Sequence, residues 1–508
     1  MRLSQVIAGA DCRPCHGAGD PDVGSITSDS RQVRPGSIFV CIAGGQVDGH
    51  DFADRALHAG AVAVIAERIP PVPERWPADV PLLLADDPRR ALANAAANLF
   101  ERPDQKLALA GVTGTNGKTT VTFLLASIAE AAGVACGLIG TVGTGFGGAL
   151  RPATHTTPDA VSLTSTLAQM AAGGVKIAAL EVSSHALVQG RVAGLRFRAA
   201  GFTNLTRDHL DYHGDMESYF LAKARLFTER LGDGAVAVID HDDAYGRRLA
   251  AMLAGGAGAR REVWRFSTTD STCEIFASAV ELCAAGIRAN VRTPRGDVAL
   301  RSGLIGAHNL QNLLCAAGLA LALGFTLRDV ERGLAKASGA PGRLERIGDR
   351  AFVDYAHTPD ALARVCASLR EVAEGRLVVV FGCGGDRDRG KRPLMGEAAG
   401  RAADLAVVTS DNPRSEEPAS IVAEILPGLA AAGSARLSPA DARAGAKGHV
   451  VELDRRAAIA LAVSCLGPDD LLLVAGKGHE ATQILADRTI HFDDREAVAE
   501  ALAVRPSP

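Results

Sequence analysis

Aromatic side chains are scarce in this chain, 2 Trp, 4 Tyr and 15 Phe among 508 residues, and nowhere do they interleave with a run of Arg and Lys. The formal net charge is −4, so a polyanion finds no electrostatic footprint and no nucleic-acid partner is expected. Long apolar runs are missing as well. The longest, near Leu313 to Leu323, falls short of the ~20 residues that a helix needs to cross a bilayer, so no membrane span is expected. The amino-terminal MRLSQVIAGAD meets an acid before any apolar core of signal-peptide length, and the expected location is cytoplasmic. The 10 cysteines follow no pairing pattern and read as the reduced thiols of a cytosolic protein. Cys12, Cys15 and His16 do spell C-x-x-C-H, the spacing of c-type haem attachment. That attachment requires export, and a zinc site would want a second ligand pair nearby; neither is present, so the spacing reads as coincidence.

What the chain does have is apolar residues, 47% of the total, with 55 Gly and abundant Ala, as suits helices packed on parallel sheets. Its length predicts about three domains. Residues 1–106 alternate short apolar runs with helical stretches and read as a small α/β domain. Residues 107–340 carry the most informative stretch, and 341–508 place three apolar strands, LVVVF, LAVV and LLLVA, each before a polar loop. That last pattern predicts a doubly wound parallel sheet. Gly382 and Gly384 suggest a dinucleotide turn, but Arg387 stands at the third glycine position and weakens it. Arg387, Arg389, Lys391, Arg392, Arg414, Lys477 and Glu480 are expected at the strand ends, where such sheets hold small anionic ligands.

The informative stretch is GVTGTNGKTT, Gly111 to Thr120, after the apolar run Leu107 to Ala110 and before a helical VTFLLASIAEAAG. It reads as strand, phosphate loop and helix start. Glycines let the backbone N–H groups turn inward, Lys118 reaches the β/γ-phosphates, Thr119 offers a hydroxyl to Mg²⁺, and the helix dipole favours an anion. The strict spacing would place glycine at position 112, where Val112 stands between Gly111 and Gly114. Glu181, ending the apolar run IAALE, is then a candidate Mg²⁺ ligand; without the phosphate loop it would be an ordinary strand-end acid. Asp208, His209, Asp211 and His213 cluster after AAGFTNL, a grouping that suits metal or phosphate as well as chance polarity. Periodicity alone places Lys223 on a solvated helix face and makes Asn309 a helix cap.

Taken together, GTNGKTT, EVSSHAL, TNLTRDHLDYHGD, GAHNLQN, GRLE, DYAHTPD, FGCGGDRDRGKRP, DNPR and GKGHE resemble, in this order and over nearly the whole chain, the Mur ligases of peptidoglycan synthesis. The likeness is strongest to the branch that makes UDP-N-acetylmuramoyl-tripeptide. The resemblance implies an α/β, three-domain Mur ligase architecture: a UDP-binding domain (1–106), a central P-loop ATPase domain (107–340) and a C-terminal Rossmann-like domain that brings the amino acid (341–508). It implies ATP and Mg²⁺ as cofactors. Gly114, Thr115, Asn116, Gly117, Lys118, Thr119 and Thr120 would bind ATP phosphates, with Asn309, Arg343 and Asp354 as further ATP residues. Thr119, Glu181, His209 and Lys223 would serve Mg²⁺, Lys223 as its carbamate. Ser28, Ser30, Gly45, Gln46 and Val47 would meet the UDP end, and Thr156, Thr157, Ser183, Gln189 and Arg191 the muramoyl-dipeptide. Arg387, Asp411, Asn412, Pro413, Arg414, Gly476 and Glu480 would bind the incoming amino acid. Lys118, Lys223, His209 and Arg343 are the implied catalytic residues.

The implied substrates are UDP-N-acetylmuramoyl-L-Ala-D-Glu and meso-diaminopimelate, and the implied state is a monomer. Diaminopimelate rather than lysine is expected from DNPR: Arg414 presents a planar donor fork to a distal carboxylate, Arg387 supports it, and Glu480 suits the distal ammonium. A folylpolyglutamate synthase would share the ATPase core but not need the uridine domain or DNPR. A nucleotide switch would carry an N-K-x-D motif, which is not evident.

Overall fold

The structure is a computed structural model and describes residues 1–45, 47–71, 76–153, 155–255, 261–283 and 285–504. They fall into two compact units, one of Met1–Ala277, Arg292–Val298 and Leu313–Gly333, the other of Ser278–Val291, Ala299–Asn312 and Leu334–Pro508.

In the first unit, Cys12–His16, Ser25–Thr27, Ser37–Val40, Ala61–Ala66 and Leu82–Ala85 (β1–β5) form a sheet in the order β1-β5-β4-β3-β2. Pairs from β2 to β5 are parallel, and only β1 runs against its neighbour. Alternate residues bury opposite faces: Ile38 and Val40 enter one apolar cluster and Phe39 another. Because β2 and β3 are parallel, the loops bearing Ser28 and Gly45 leave from the same edge.

Ala108–Thr113, Cys136–Ile139, Thr144–Phe146, Ala149–Arg151, Ile177–Glu181, Phe197–Phe202, Leu231–Asp240 and Glu262–Ser267 (β6–β13) build the second sheet. From β13 the order is β13-β12-β11-β6-β10-β7-β8-β9, and three further strands follow in the chain, Ile275–Cys283, Gly286–Thr293 and Gly296–Ser302 (β14–β16). Pairings from β7 through β13 are parallel, while β8 and β9 add an antiparallel edge hairpin. Strand β6 is central and buried from Leu109 onward, which explains why Val112 is tolerated in the glycine position: it is a 0% exposed strand residue, and the turn begins only at Gly114. Register pairs Glu181 with Val112 and Phe202 with Thr113, so the ends of β10 and β11 flank the phosphate loop.

In the second unit, Glu345–Ile347, Ala351–Asp354, Leu377–Phe381, Leu405–Val408, Gly448–Val451 and Leu471–Ala475 (β17–β22) take the order β17-β18-β22-β19-β20-β21. All neighbours except β17 and β18 are parallel. Leu377, Val379 and Phe381 enter one cluster and Val378 and Val380 another, so both faces are buried and the strand reads as an unbroken apolar run. The predicted parallel sheet is present, and loops 382–390, 409–417 and 476–481 leave its carboxyl edge. A hairpin of Thr482–Ile484 and Thr489–His491 (β23, β24) follows. Among the described residues no helix is long and apolar enough to cross a membrane.

Candidate active site

Gly114 has φ +150°, and a Cβ there would lie 2.0 Å from Thr203 Oγ1, so the loop needs glycine for both backbone and space. The segment after β11 cradles the loop. Thr115 N donates to Asn204 O at 2.9 Å, Asn116 N to Asn204 Oδ1 at 3.0 Å, and Thr203 Oγ1 to Asn116 O at 2.5 Å. Lys118, first residue of the helix Lys118–Ala131, donates to the carbonyls of Gly114 and Thr115 at 2.9 and 2.8 Å. Thr119 and Thr120 are buried in the first turn.

Lys223 departs from its periodicity. Rather than facing water, it is 1% exposed and donates to the same Gly114 carbonyl at 2.8 Å. It sits one turn from Tyr219 in the helix Met216–Arg225; both side chains face the loop, with Nζ 4.5 Å from the Tyr219 ring centre. Burial, and then the Lys118 charge, push the Lys223 amine well below its ordinary value of 10.5, with Asp208 opposing. The site therefore holds an ammonium and a neutral-prone amine on one carbonyl.

Glu181 is 1% exposed. Its Oε1 accepts from Thr141 N at 2.8 Å and its Oε2 from Thr141 Oγ1 at 3.1 Å, which leaves lone pairs on both oxygens for a cation. Thr141 Oγ1 lies 3.1 Å from Thr156 Oγ1, and Thr157 Oγ1 donates to the Glu181 carbonyl at 2.8 Å. From there the network runs on: Ser183 N donates to Thr157 Oγ1 at 3.1 Å, Arg191 Nη1 to Thr157 O at 2.6 Å, and Arg191 Nη2 to Gln189 Oε1 at 2.7 Å. The five residues expected at the muramoyl-dipeptide thus meet at Glu181, Thr156 through Thr141 on its carboxylate and the other four through Thr157 on its backbone carbonyl. Desolvation lowers the Arg191 pKa.

His209 lies on the rim, with φ +53° and its side chain 48% exposed, Nε2 3.4 Å from Asp208 Oδ2. Its ring centre is 4.9 Å from that of His185, which is 4.2 Å from Tyr212 and 5.5 Å from His213. Burial and then the neighbouring imidazoles lower the His185 and His213 pKa values, which keeps both rings neutral-prone. Another group of donors close enough to share an ion, His241, Asp270 and Cys273, contains none of the expected ligands.

In the second unit, Asp354 pins the GRLE turn: its oxygens accept from Leu344 N and Ala356 N, each at 2.7 Å, and burial raises its pKa. Arg343 stacks 4.8 Å over Tyr355. Asn309 is not the cap its position suggests: it lies within the helix Ala307–Ala322, donates Nδ2 to Ile305 O at 2.9 Å and accepts from Asn312 Nδ2 at 3.0 Å through Oδ1. At the sheet edge, several of the charged residues expected at the strand ends are paired within the chain. Arg389 and the fully buried Arg392 both pair with Glu424, Arg392 also with Glu416, and Lys477 is buried against Asn412 and Thr482. Hydrogen bonds from Arg392 and then from Asp386 N hold the Glu416 carboxyl down to about 2. Glu416 is thereby taken from Arg414. Arg414, at φ +53°, donates Nη1 to Gly385 O at 2.8 Å and to Asn412 O at 3.4 Å, and its Nε and Nη2 make no hydrogen bond among the described residues. Arg387 is exposed. Glu480 Oε2 accepts from Asn412 Nδ2 at 2.9 Å and lies 3.5 Å from the buried Lys477 Nζ, so the carboxylate expected to meet a ligand ammonium already faces one from its own chain, while its side chain keeps 34% exposure.

The chain matches known proteins. Residues 22–99 match the pattern described as Mur ligase family, catalytic domain; 112–320 the Mur ligase middle domain; and 342–478 the Mur ligase glutamate ligase domain. A UDP-N-acetylmuramoyl-L-alanyl-D-glutamate--2,6-diaminopimelate ligase of Parasynechococcus marenigrum is 46% identical over 506 residues, 96% of this chain and 96% of its own length. The chain belongs to the Mur ligase family. A ligase of the same description from Geobacter metallireducens is 43% identical over 512 residues, covering 99% of this chain and 98% of the relative. A solved structure so described superposes with a TM-score of 0.71 at 36% identity, over 95% of each chain. The fold class is the family's: α/β, three domains, a central P-loop ATPase and a C-terminal Rossmann-like domain.

Of the expected uridine-end residues, Ser28, Gly45 and Val47 are exposed at the carboxyl edge of the first sheet and Ser30 is half-buried; Gln46 lies outside the described residues. Motif reading gave no role to Thr141, His185, Thr203, Asn204 or Tyr212. His185 had a signal, four residues after Glu181 within EVSSHAL. Thr141 had none, because its value lies in its reach to Glu181 across 40 residues.

Proposed function

We infer that the chain is an ATP-dependent ligase that joins meso-diaminopimelate to the D-glutamate γ-carboxylate of UDP-N-acetylmuramoyl-L-Ala-D-Glu, a step of peptidoglycan precursor synthesis. The observation that carries this reading is the phosphate loop beside the strand end that bears Glu181 and its Thr157-Arg191 network, in a chain whose full-length relatives bear that activity in their names. A carboxylate is a poor electrophile because its leaving group would be oxide. Transfer of the γ-phosphoryl group of ATP to the γ-carboxylate gives an acyl phosphate and ADP; the amine then attacks the acyl carbon, the C–N bond forms, and phosphate departs.

Lys118 and Arg343 are assigned to the charge on the transferring phosphoryl group, and residues 114–120 with Asn309 and Asp354 to ATP. Thr119, Glu181, His209 and the Lys223 carbamate would hold Mg²⁺, which supplies positive charge there when bound. The donor set fits on one condition. A neutral Lys223 amine adds to CO₂ and releases a proton, and the product is an anionic oxygen ligand suited to a hard cation. The depressed amine pKa is what that addition requires. Thr156, Thr157, Ser183, Gln189 and Arg191 are assigned to the dipeptide, and Ser28, Ser30, Gly45, Gln46 and Val47 to the uridine end. Segments 1–106, 107–340 and 341–508 are assigned as the uridine, ATPase and amino-acid domains.

Selectivity is assigned to the edge of the third sheet. The Nε and Nη2 donors of Arg414 suit the distal carboxylate of diaminopimelate, with Arg387, Asp411, Asn412, Pro413, Gly476 and Glu480 around it. Lysine would bring an ammonium toward a guanidinium and leave its donors unpaired. Comparing kcat/KM for the two amino acids tests this: the wild type should favour diaminopimelate by roughly 10³-fold or more, and Arg414→Ala should lose most of that preference. Equal use of both by the wild type contradicts the assignment.

A further inference from the structure

Arg455 and Asp494 form an ion pair in which both side chains are 0% exposed. Neither belongs to a motif that the proposed chemistry uses. The pair is bidentate, Nε to Oδ1 and Nη2 to Oδ2, each at 2.7 Å. Desolvating two charges so completely costs about as much as the attraction returns, and apolar replacements of similar shape are often as stable, so stability is a weak reason for its presence. Direction is a better one. Held by Asp494, the guanidinium donates Nη1 to the carbonyl of Ser410 at 3.2 Å and Nη2 to that of Ala475 at 2.9 Å.

Those carbonyls open the two loops assigned to the amino acid. Ser410 precedes Asp411-Asn412-Pro413-Arg414, and Ala475 precedes Gly476 and the stretch to Glu480. Their strands, β20 and β22, are not neighbours, because β19 runs between them. One planar cation therefore spans the end of the intervening strand and ties together directly two loop starts that are otherwise joined only through the ladders of β19. The fit around it is close: Gly476, at φ +118°, would place a Cβ 2.5 Å from Asp411 Oδ2. Further bonds join the loops, Gln483 Nε2 to Asp411 O at 2.7 Å and Ile484 N to Asn412 Oδ1 at 3.0 Å, so loss of the cation shifts the loops without releasing them.

We propose that Arg455, oriented by Asp494, is the positioning residue of the amino-acid site, setting the spacing between the Arg414 loop and the Glu480 loop and through it the choice of amino acid. The proposal rests on the ligase reading above. The test is steady-state kinetics of the full chain as wild type, as Arg455→Met/Asp494→Leu, which removes both charges together, and as Arg455→Lys, which keeps the charge but not the fork. In both variants KM for diaminopimelate should rise about 10- to 100-fold and the preference over L-lysine should fall comparably, with KM for ATP and for the nucleotide substrate unchanged. Wild-type KM and preference in either folded variant overturn the proposal, as does an equal loss toward all three substrates, the mark of a merely structural pair. If the double variant does not fold, the lysine variant decides by the same criteria. A wild type that fails to ligate diaminopimelate at all overturns the functional reading itself, a result distinguishable from normal wild-type ligation with indifferent variants.

Discussion

Lys223 has its amine shut away from water, one carbonyl to bond and the Lys118 ammonium as its nearest like charge. Two consequences follow at the scale of this residue. The first concerns stability in CO₂-free buffer. The folded pKa lies well below 10.5, so between that value and 10.5 the unfolded chain binds the proton that the folded chain refuses, and stability rises with pH across the window. Lys223→Met, which has nothing to titrate, should melt above the wild type at pH 7, and thermal denaturation at successive pH values should show the gap narrowing toward pH 10. Parallel profiles would mean that the lysine is not perturbed. The second concerns activity: Lys223→Ala should be nearly inactive in product formation, and formate or acetate, entering as a substitute carboxylate, should restore part of the rate. Unchanged activity in Lys223→Ala would reduce the residue to a buried strut.

At the scale of elements, the phosphate loop depends on two close approaches. Gly114→Ala would drive a methyl into Thr203 Oγ1 at 2.0 Å and strain a φ of +150°. The expected cost is about 1–3 kcal/mol of stability, with a much larger loss of ATP affinity, because Thr203 and Asn204 hold the backbone that would face the phosphates. Calorimetric titration with ATP and a thermal melt separate the two effects; wild-type affinity would show that the loop adapts. Much at this scale was legible in the sequence. Runs such as LVVVF are buried on both faces and announce parallel strands, and Lys118 follows a glycine-rich turn whose chemistry is local. The glycine displaced from position 112 was legible only as an irregularity, because the end of β6 is set by its neighbours β10 and β11. Lys223 was misplaced by periodicity, since the face its helix buries is chosen by a loop about a hundred residues earlier. Arg455 reads as an ordinary first-turn arginine, and only its two carbonyl partners on non-adjacent strands give it meaning.

Across the whole molecule, the two units hold different halves of the proposed chemistry. The first contains the phosphate loop, Glu181 and the network around Thr157 and Arg191; the second contains Arg414, Glu480 and the Arg455 clamp. The central claim, that this chain couples ATP cleavage to diaminopimelate addition, is most directly tested by product mass. Purified protein is incubated with ATP, Mg²⁺, UDP-N-acetylmuramoyl-L-Ala-D-Glu and a panel of amino acids offered one at a time. The account predicts one new nucleotide product, heavier than the substrate by diaminopimelate less water, formed with one ADP and one phosphate each, and little or none with L-lysine. ATP hydrolysis without a heavier nucleotide, or a lysine adduct formed as readily, would contradict it.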